Sequence, residues 1–358
     1  MIRIRPGRVV GVRRSWPGAV ELDVEVDGAL GVALAYPALV GTPEAGDDVV
    51  LNTTAVSLGL GTGGYHLVVA CPARVPADFD GAGHLVKARY TPYQATVLGV
   101  DEEASPHRAV MESATSLDGL PVVIADLHSA LPAIAVGIDL VRPGARIVYV
   151  MTDGGALPIW FSRSVAQLRE RGLLAATVTV GQAFGGDHEA VTLHSGLLAA
   201  YAVERADVVV VTQGPGNLGV ATPWGFSGVA AGDAVNAVAA LDGTPVASLR
   251  ISDADPRERH RGISHHSRTA YGRVALARAR VVVPQFGTPL DLDLARDLDE
   301  SGIRDRHEVI PQEIDGLLDA LRDSGLELST MGRSLDQDSA YFVAAAAAGR
   351  YAASLPRR

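Results

Sequence analysis

From residue 121 onward the chain repeats one unit. A short, nearly continuous run of valine and isoleucine is followed by a glycine-rich or polar break and then by a helical pattern. The runs fall at 121–125, 146–151, 176–180, 207–212, 245–251 and 280–283, and the helical patterns at 130–140, 162–171, 189–205, 226–241 and 267–279. A strand that is apolar on both sides must be covered on both sides, so these runs predict a mostly parallel sheet. Right-handed crossover helices would lie on both of its faces. The expected fold class is therefore α/β, and a sheet of this kind places its ligand site beyond the carboxyl ends of its strands.

The first 85 residues follow a different rule. Alternating or β-branched runs at 8–12, 20–26, 29–35 and 48–51 are separated by turn signals, among them Asp27-Gly28, which suits a two-residue hairpin. A small β-barrel-like module is expected there, followed by the glycine cluster Leu58-Gly59-Leu60-Gly61-Thr62-Gly63-Gly64, read either as tight turns or as a backbone approach to a ligand. The expected division is an all-β module at 1–85, an α/β core at 86–285 and a C-terminal helical extension at 286–358 packed on the core. In that extension 291–300 and 310–324 read as amphipathic helices and 335–355 as an alanine-rich one, whose small residues permit close packing. Lys87 and Arg89 would share one face of an extended segment.

A net charge of −10 argues against general nucleic-acid binding, which needs a basic field. The single Cys71 excludes an internal disulfide and a cysteine-rich zinc site, and is in keeping with a reducing cytoplasm. With neither a signal-peptide pattern nor an apolar run of membrane-spanning length, a cytoplasmic protein without membrane partners is expected. The sequence leaves homo-oligomerisation open.

Chemistry-bearing residues gather after the strands. The first ends in Asp126 and His128, which could share a metal or pass a proton; the alternative is that Ser129 or Asp126 merely caps the next helix. The second ends in Asp153-Gly154-Gly155, a base or a turn. After the third come Asp187, Glu189 and His194, read as metal ligands or as a helix cap with a core histidine. The fourth gives Gln213-Gly214-Pro215-Gly216-Asn217-Leu218-Gly219, where Gly214, Gly216 and Asn217 would cradle an anion. Its Gly-x-Gly-x-x-Gly spacing lacks the immediate helix that a dinucleotide site needs, which argues against NAD.

The densest stretch follows the fifth strand. Arg257, Arg259, His260 and Arg261 form a fork-rich set suited to phosphate or carboxylate, and His265 and His266 precede a helix. Adjacent histidines in a strand or loop point different ways, so at most one of this pair is expected to serve a given ligand. The competing reading is a locally neutralised loop, with Asp253, Asp255 and Glu258 pairing the arginines. Nucleophile-elbow, P-loop and His-Glu-x-x-His motifs are absent from the sequence.

Several strings together resemble a bacterial family known as a domain of unknown function, numbered 3866. They are Gly83-His84-Leu85-Val86-Lys87-Ala88-Arg89-Tyr90, Ala125-Asp126-Leu127-His128-Ser129, Met151-Thr152-Asp153-Gly154-Gly155, Gly181-Gln182-Ala183-Phe184-Gly185-Gly186-Asp187, Gln213-Gly214-Pro215-Gly216-Asn217, Trp224-Gly225-Phe226-Ser227-Gly228 and His260-Arg261-Gly262-Ile263-Ser264-His265-His266. Two departures, His188 in place of an apolar residue and Val220-Ala221 in place of Thr-Gly, weigh against His188 as a ligand and against a cradle at Gly219. The resemblance implies no activity.

The functional expectation therefore rests on the residues. It is an enzyme acting on a small anionic, for example phosphorylated, substrate by metal-assisted hydrolysis or group transfer. Asp126, His128, Asp153 and His265 would be catalytic, and Asp126, His128, Asp187, Glu189 and His194 would hold a divalent metal. The alternative is a non-catalytic ligand-binding or regulatory protein.

Overall fold

The structure, a computed structural model, describes residues 1–60 and 63–356. Gly61 and Thr62, in the middle of the glycine cluster, lie outside the described residues. The chain divides into two compact units, Met1–Ala82 with Ala88–Thr96, and Gly83–Lys87 with Val97 onward.

The first unit is a closed five-stranded barrel. Its strands are β1 (Ile4–Trp16), β2 (Ala19–Val26), β3 (Ala29–Ala35), β4 (Asp48–Asn52) and β5 (His66–Ala70), in the order β1-β2-β3-β5-β4. Val9, Leu22, Val24, Ala33, Leu51 and Val68 fill its interior. Asp27 and Gly28 form the turn between β2 and β3 with φ of 53° and 75°, the left-handed pair that a tight hairpin requires.

The second unit is built on an eight-stranded, wholly parallel sheet. Its strands are β6 (Pro121–Ile124), β7 (Ile147–Thr152), β8 (Ala176–Val180), β9 (His188–Ala190), β10 (Val208–Gln213), β11 (Thr244–Ser248), β12 (Arg280–Gln285) and β13 (Glu308–Glu313). The order is β9-β8-β7-β10-β6-β11-β12-β13. Chain order reverses around β6: the chain first moves from β6 toward β9, then returns through β10 and crosses to β11. That is a topological switch point, where an open sheet leaves a crevice at its carboxyl edge.

Helices cover both faces. One carries α1 (Leu131–Val141), α2 (Arg163–Glu170), α7 (Leu317–Asp323) and α8 (Ser339–Ser354). The other carries α3 (Leu193–Leu198), α4 (Ala230–Ala240), α5 (His265–Thr269) and α6 (Leu290–Ser301). The α1–α8 contact is as close as the alanine run suggested. A Cβ on Gly137 would fall 2.0 Å from the Ala346 carbonyl oxygen, and one on Gly349 would fall 2.1 Å from that of Ile134.

Four local expectations are corrected. The predicted helix at 189–205 starts late, because His188–Ala190 is the edge strand β9 and Thr192 caps α3. The predicted helix at 310–324 begins as β13, so the last part of the chain is not purely helical. The helix expected at 267–279 is α5 followed by a π-helical turn, Ala270–Val274. Lys87 and Arg89 are not on one extended strand, since Ala88 and Tyr90 have φ of 48° and 60°. Among the described residues, no helix is long and apolar enough to cross a membrane.

Candidate functional site

The three neighbouring strands at the reversal, β10, β6 and β11, supply the site. Beyond β6 the buried Asp126 is held by its backbone: its carbonyl oxygen accepts from Gln213 Nε2, the last residue of β10, at 2.7 Å. The loop after β10 brings in Asn217, whose Oδ1 accepts from Gln213 Nε2 (2.9 Å), Ser227 Oγ (3.0 Å) and the Gly228 amide (2.9 Å). Those bonds fix the amide so that Nδ2 faces His266 Nδ1 at 3.4 Å.

Arg250 follows β11 and is buried. Its amide donates to Ser267 Oγ and its carbonyl accepts from the Ser264 amide, both at 2.9 Å. The intervening loop folds back through a short antiparallel pair, Ile251–Ser252 with Gly262–Ile263. Gly262 is required there: with φ of 63°, a Cβ would stand 2.3 Å from Asp297 Oδ2, which accepts from the Ile263 amide at 2.8 Å. Ser252 Oγ donates to Asp338 Oδ1 (2.9 Å), and Arg333 bridges Asp338 (2.9 Å) and Asp255 (3.0 Å).

The return of the loop places three imidazoles together. Ser264 caps α5, accepting from the His266 amide, and sets His265 and His266 in its first turn. His260 Nδ1 bonds Ser264 Oγ at 2.7 Å. Ring centroids are 4.9 Å apart for His260–His265, 5.0 Å for His260–His266 and 4.4 Å for His265–His266. Each ring offers a nitrogen within 4.8 Å of those of the other two. Phe226 stacks flat on His266 at 3.9 Å. Behind them Tyr271 donates to the Ile124 carbonyl oxygen at 2.8 Å, tying the turn after α5 to β6. Both of the adjacent histidines lie in this cluster, because at a helix start neighbouring side chains diverge by ~100° rather than by the ~180° of a strand.

The electrostatics are uneven. Burial, reinforced by Arg250, Arg257 and His266, pushes the His260 imidazole down to about 2. Burial, with His266, Arg259 and Arg250, pushes His265 down to about 4. Both rings are therefore neutral at pH 7, with lone pairs to offer. Burial alone would raise the Asp255 carboxyl, but Arg257 and Arg333 hold it well below the usual carboxylate range. Arg257 grips it with Nε at 2.9 Å and Nη2 at 2.8 Å. Arg250 reaches the same carboxylate only at 3.4 Å and has His266 Nδ1 at 3.4 Å on its other side. Two buried atoms at the centre, His265 Nε2 and Asp126 Oδ2, have no hydrogen-bond partner, the latter with His266 Nδ1 3.6 Å away. An unpaired buried polar group costs about 1–3 kcal/mol, so such atoms call for a ligand.

Of the residues singled out in the sequence, Asp126, Asn217, His260 and His265 meet here. Others are occupied elsewhere. His128 spends Nδ1 on Tyr149 (3.0 Å) and Nε2 on Ser162 (2.6 Å), and burial pushes it down to about 4. Asp153 accepts from the Gly155, Ala156 and Gln182 amides, fastening its own loop. Asp187 takes a two-point contact from Arg169 and two bonds from Thr177. Glu189 is ion-paired with the fully buried Lys87 at 3.1 Å and accepts from Thr179 Oγ1 at 2.6 Å. His194 is exposed in the first turn of α3.

The glycines divide as well. Gly214 lets Leu157 and Met151 pack closely, and Gly216, with φ of 94°, makes an exposed turn. Arg257 is bound to Asp255, Arg261 donates to the Asp255 carbonyl oxygen at 3.1 Å, and Arg259 is exposed. Reasoning from sequence passed over Arg250 as part of a strand. A guanidinium inside an otherwise apolar run was the available signal, because a buried charge must have a partner.

A family model described as "Protein of unknown function (DUF3866)" matches residues 32–349. The chain belongs to this family. No curated protein matches it. Among solved structures, the D-arabinose dehydrogenase from Sulfolobus solfataricus aligns over 90% of this chain and 87% of its own, at 12% identity and a TM-score of 0.15. A likeness that faint carries no argument about activity.

Proposed function

We propose that this member of the family is an enzyme that acts on a small anionic substrate, by hydrolysis or group transfer at the three-histidine cluster beyond β10, β6 and β11. One observation carries the reading: two buried polar atoms, His265 Nε2 and Asp126 Oδ2, stand without partners beside a buried guanidinium whose carboxylate is already gripped by two others. Arg250 is thus a buried cation placed to meet a substrate anion, and Asn217 Nδ2 beside it is a second donor. The neutral imidazoles are the groups able to bind an electrophilic centre or move a proton.

The test is a thermal-shift screen of inorganic phosphate and of phosphorylated and carboxylated metabolites, followed by product analysis on every compound that stabilises the fold. An enzyme converts at least one of them, and Arg250→Gln weakens both the shift and the turnover. Stabilisation without product for every binding compound would overturn catalysis and leave a ligand-binding protein. Binding undiminished in Arg250→Gln would remove the anion site from this place.

A further inference from the structure

The three-histidine cluster has the outer contacts of a metal centre as well as its nitrogens. We infer that His260, His265 and His266 hold a divalent transition metal of the zinc type, and that Asp126 is the carboxylate that orients His266. The inference deepens the function proposed for the same cleft, but it is tested by metal content and not by turnover.

The argument starts from which nitrogen each ring keeps free. His260 commits Nδ1 to Ser264 Oγ at 2.7 Å, which leaves Nε2. His265 has its buried Nε2 without a partner. His266 turns Nδ1 toward Asn217 Nδ2 and Arg250 Nη1, both at 3.4 Å, and Asp126 Oδ2 at 3.6 Å, which leaves Nε2. A metal-binding histidine characteristically donates its second N–H to a carboxylate, hydroxyl or carbonyl, which fixes the tautomer and the ring plane. Ser264 fills that role for His260; for His266 the unbonded Asp126 Oδ2 would take it once Asn217 Nδ2 and Arg250 Nη1, the donors now 3.4 Å from the same Nδ1, turn to a bound anion.

The ring plane of His266 has a second support in Phe226, stacked on it at an interplanar angle of 4°. Tetrahedral zinc with bonds of about 2.0–2.1 Å sets its nitrogen ligands about 3.3 Å apart. One nitrogen of each ring already lies within 4.8 Å of those of the other two, near that spacing. Three imidazole nitrogens and no thiolate select zinc or a neighbouring first-row ion over magnesium or calcium, which prefer oxygen. Three protein ligands leave a fourth position for water or substrate, the pattern of a catalytic site rather than a structural one. The unpartnered Asp126 Oδ2 then has a role too, because a metal on Nε2 would leave the proton of His266 on Nδ1, facing that oxygen.

The experiment uses the full-length protein, stripped with a chelator and dialysed against zinc or cobalt(II), with bound metal measured by mass spectrometry and the cobalt form by its visible spectrum. One metal per chain is expected, with a cobalt spectrum of tetrahedral intensity. His265→Ala abolishes stoichiometric binding, whereas His194→Ala, at an exposed histidine outside the cluster, leaves it unchanged. Asp126→Asn weakens binding about 10–100-fold and shifts the cobalt spectrum, and Asp126→Glu restores part of both. The wild-type dialysis needs no variant to fold. A folded wild type that takes up neither ion overturns the inference, as does stoichiometric metal retained by His265→Ala. Metal affinity and spectrum unchanged in Asp126→Asn would remove the orienting role and keep the three ligands.

Discussion

Two polar clusters lie along one sheet, and they differ in how completely their groups are bonded. Around β8 and β9, Asp187, Glu189, Lys87 and Arg169 answer one another fully: Lys87 Nζ donates to the carbonyl oxygens of Gly181 (2.8 Å) and Ala183 (2.9 Å) besides pairing with Glu189. Around β6 and β11, Asp126 and His265 are left open. Carboxylates and histidines are present in both places, so residue type does not distinguish them. Completeness of hydrogen bonding does, since a closed network holds the fold and an open one is held ready for something else.

The largest effect should come from breaking the closed cluster. Glu189→Ala leaves the Lys87 ammonium buried without its carboxylate and should cost about 3–5 kcal/mol in denaturant unfolding. Metal content and ligand binding of the folded fraction should stay as in the wild type. Loss of metal binding in a folded Glu189→Ala protein would merge the two clusters into one.

Acid should act next. His265, at about 4 in the fold, lies below its ordinary value, so the unfolded chain takes up a proton that the folded chain refuses. Stability is therefore full at neutral pH and falls as pH drops from the ordinary histidine range toward 4, and His260 and His128 act in the same direction. Melting temperature measured from pH 7.5 to 4.5 should decline, and it should decline less steeply in His265→Ala. An equal slope would show that His265 is not shielded as described. Asp255, held low, adds its loss only at more acid pH, because its contribution disappears as pH falls from the usual carboxylate range through its depressed value.

The smallest effect separates the arginines. Arg257→Ala removes a two-point contact to Asp255 and should lower stability by ~2 kcal/mol without weakening anion binding. Arg259→Ala, at an exposed position, should change stability by less than about 0.5 kcal/mol. Anion binding lost in Arg257→Ala would return the loop guanidiniums to the ligand and demote Arg250.

The sheet was legible wherever its strands are buried on both faces. The run at 176–180 coincides with β8, and the other five central strands fall within one to three residues of their predicted ends. The two edge strands were not. His188–Ala190 and Glu308–Glu313 carry charges and, in the second, Pro311, because an edge needs neither apolar faces nor every amide. At the site, His260 and His265 could be picked out by their density in the stretch. Arg257 could not be told from Arg250, since spacing does not say which guanidinium Asp255 will hold. That is decided by Arg333, 78 residues further on.

That distant pin has a consequence for how the protein is made. The loop of 251–264 is fastened by Arg333 and by Asp338, the residue that opens α8. During synthesis the strands and both histidines of α5 leave the ribosome well before either partner exists, and domains fold as the chain emerges. The sheet can assemble early, but the pocket acquires its final shape only after the last helix has docked. Any affinity for metal or anion in a nascent chain should therefore appear late and abruptly.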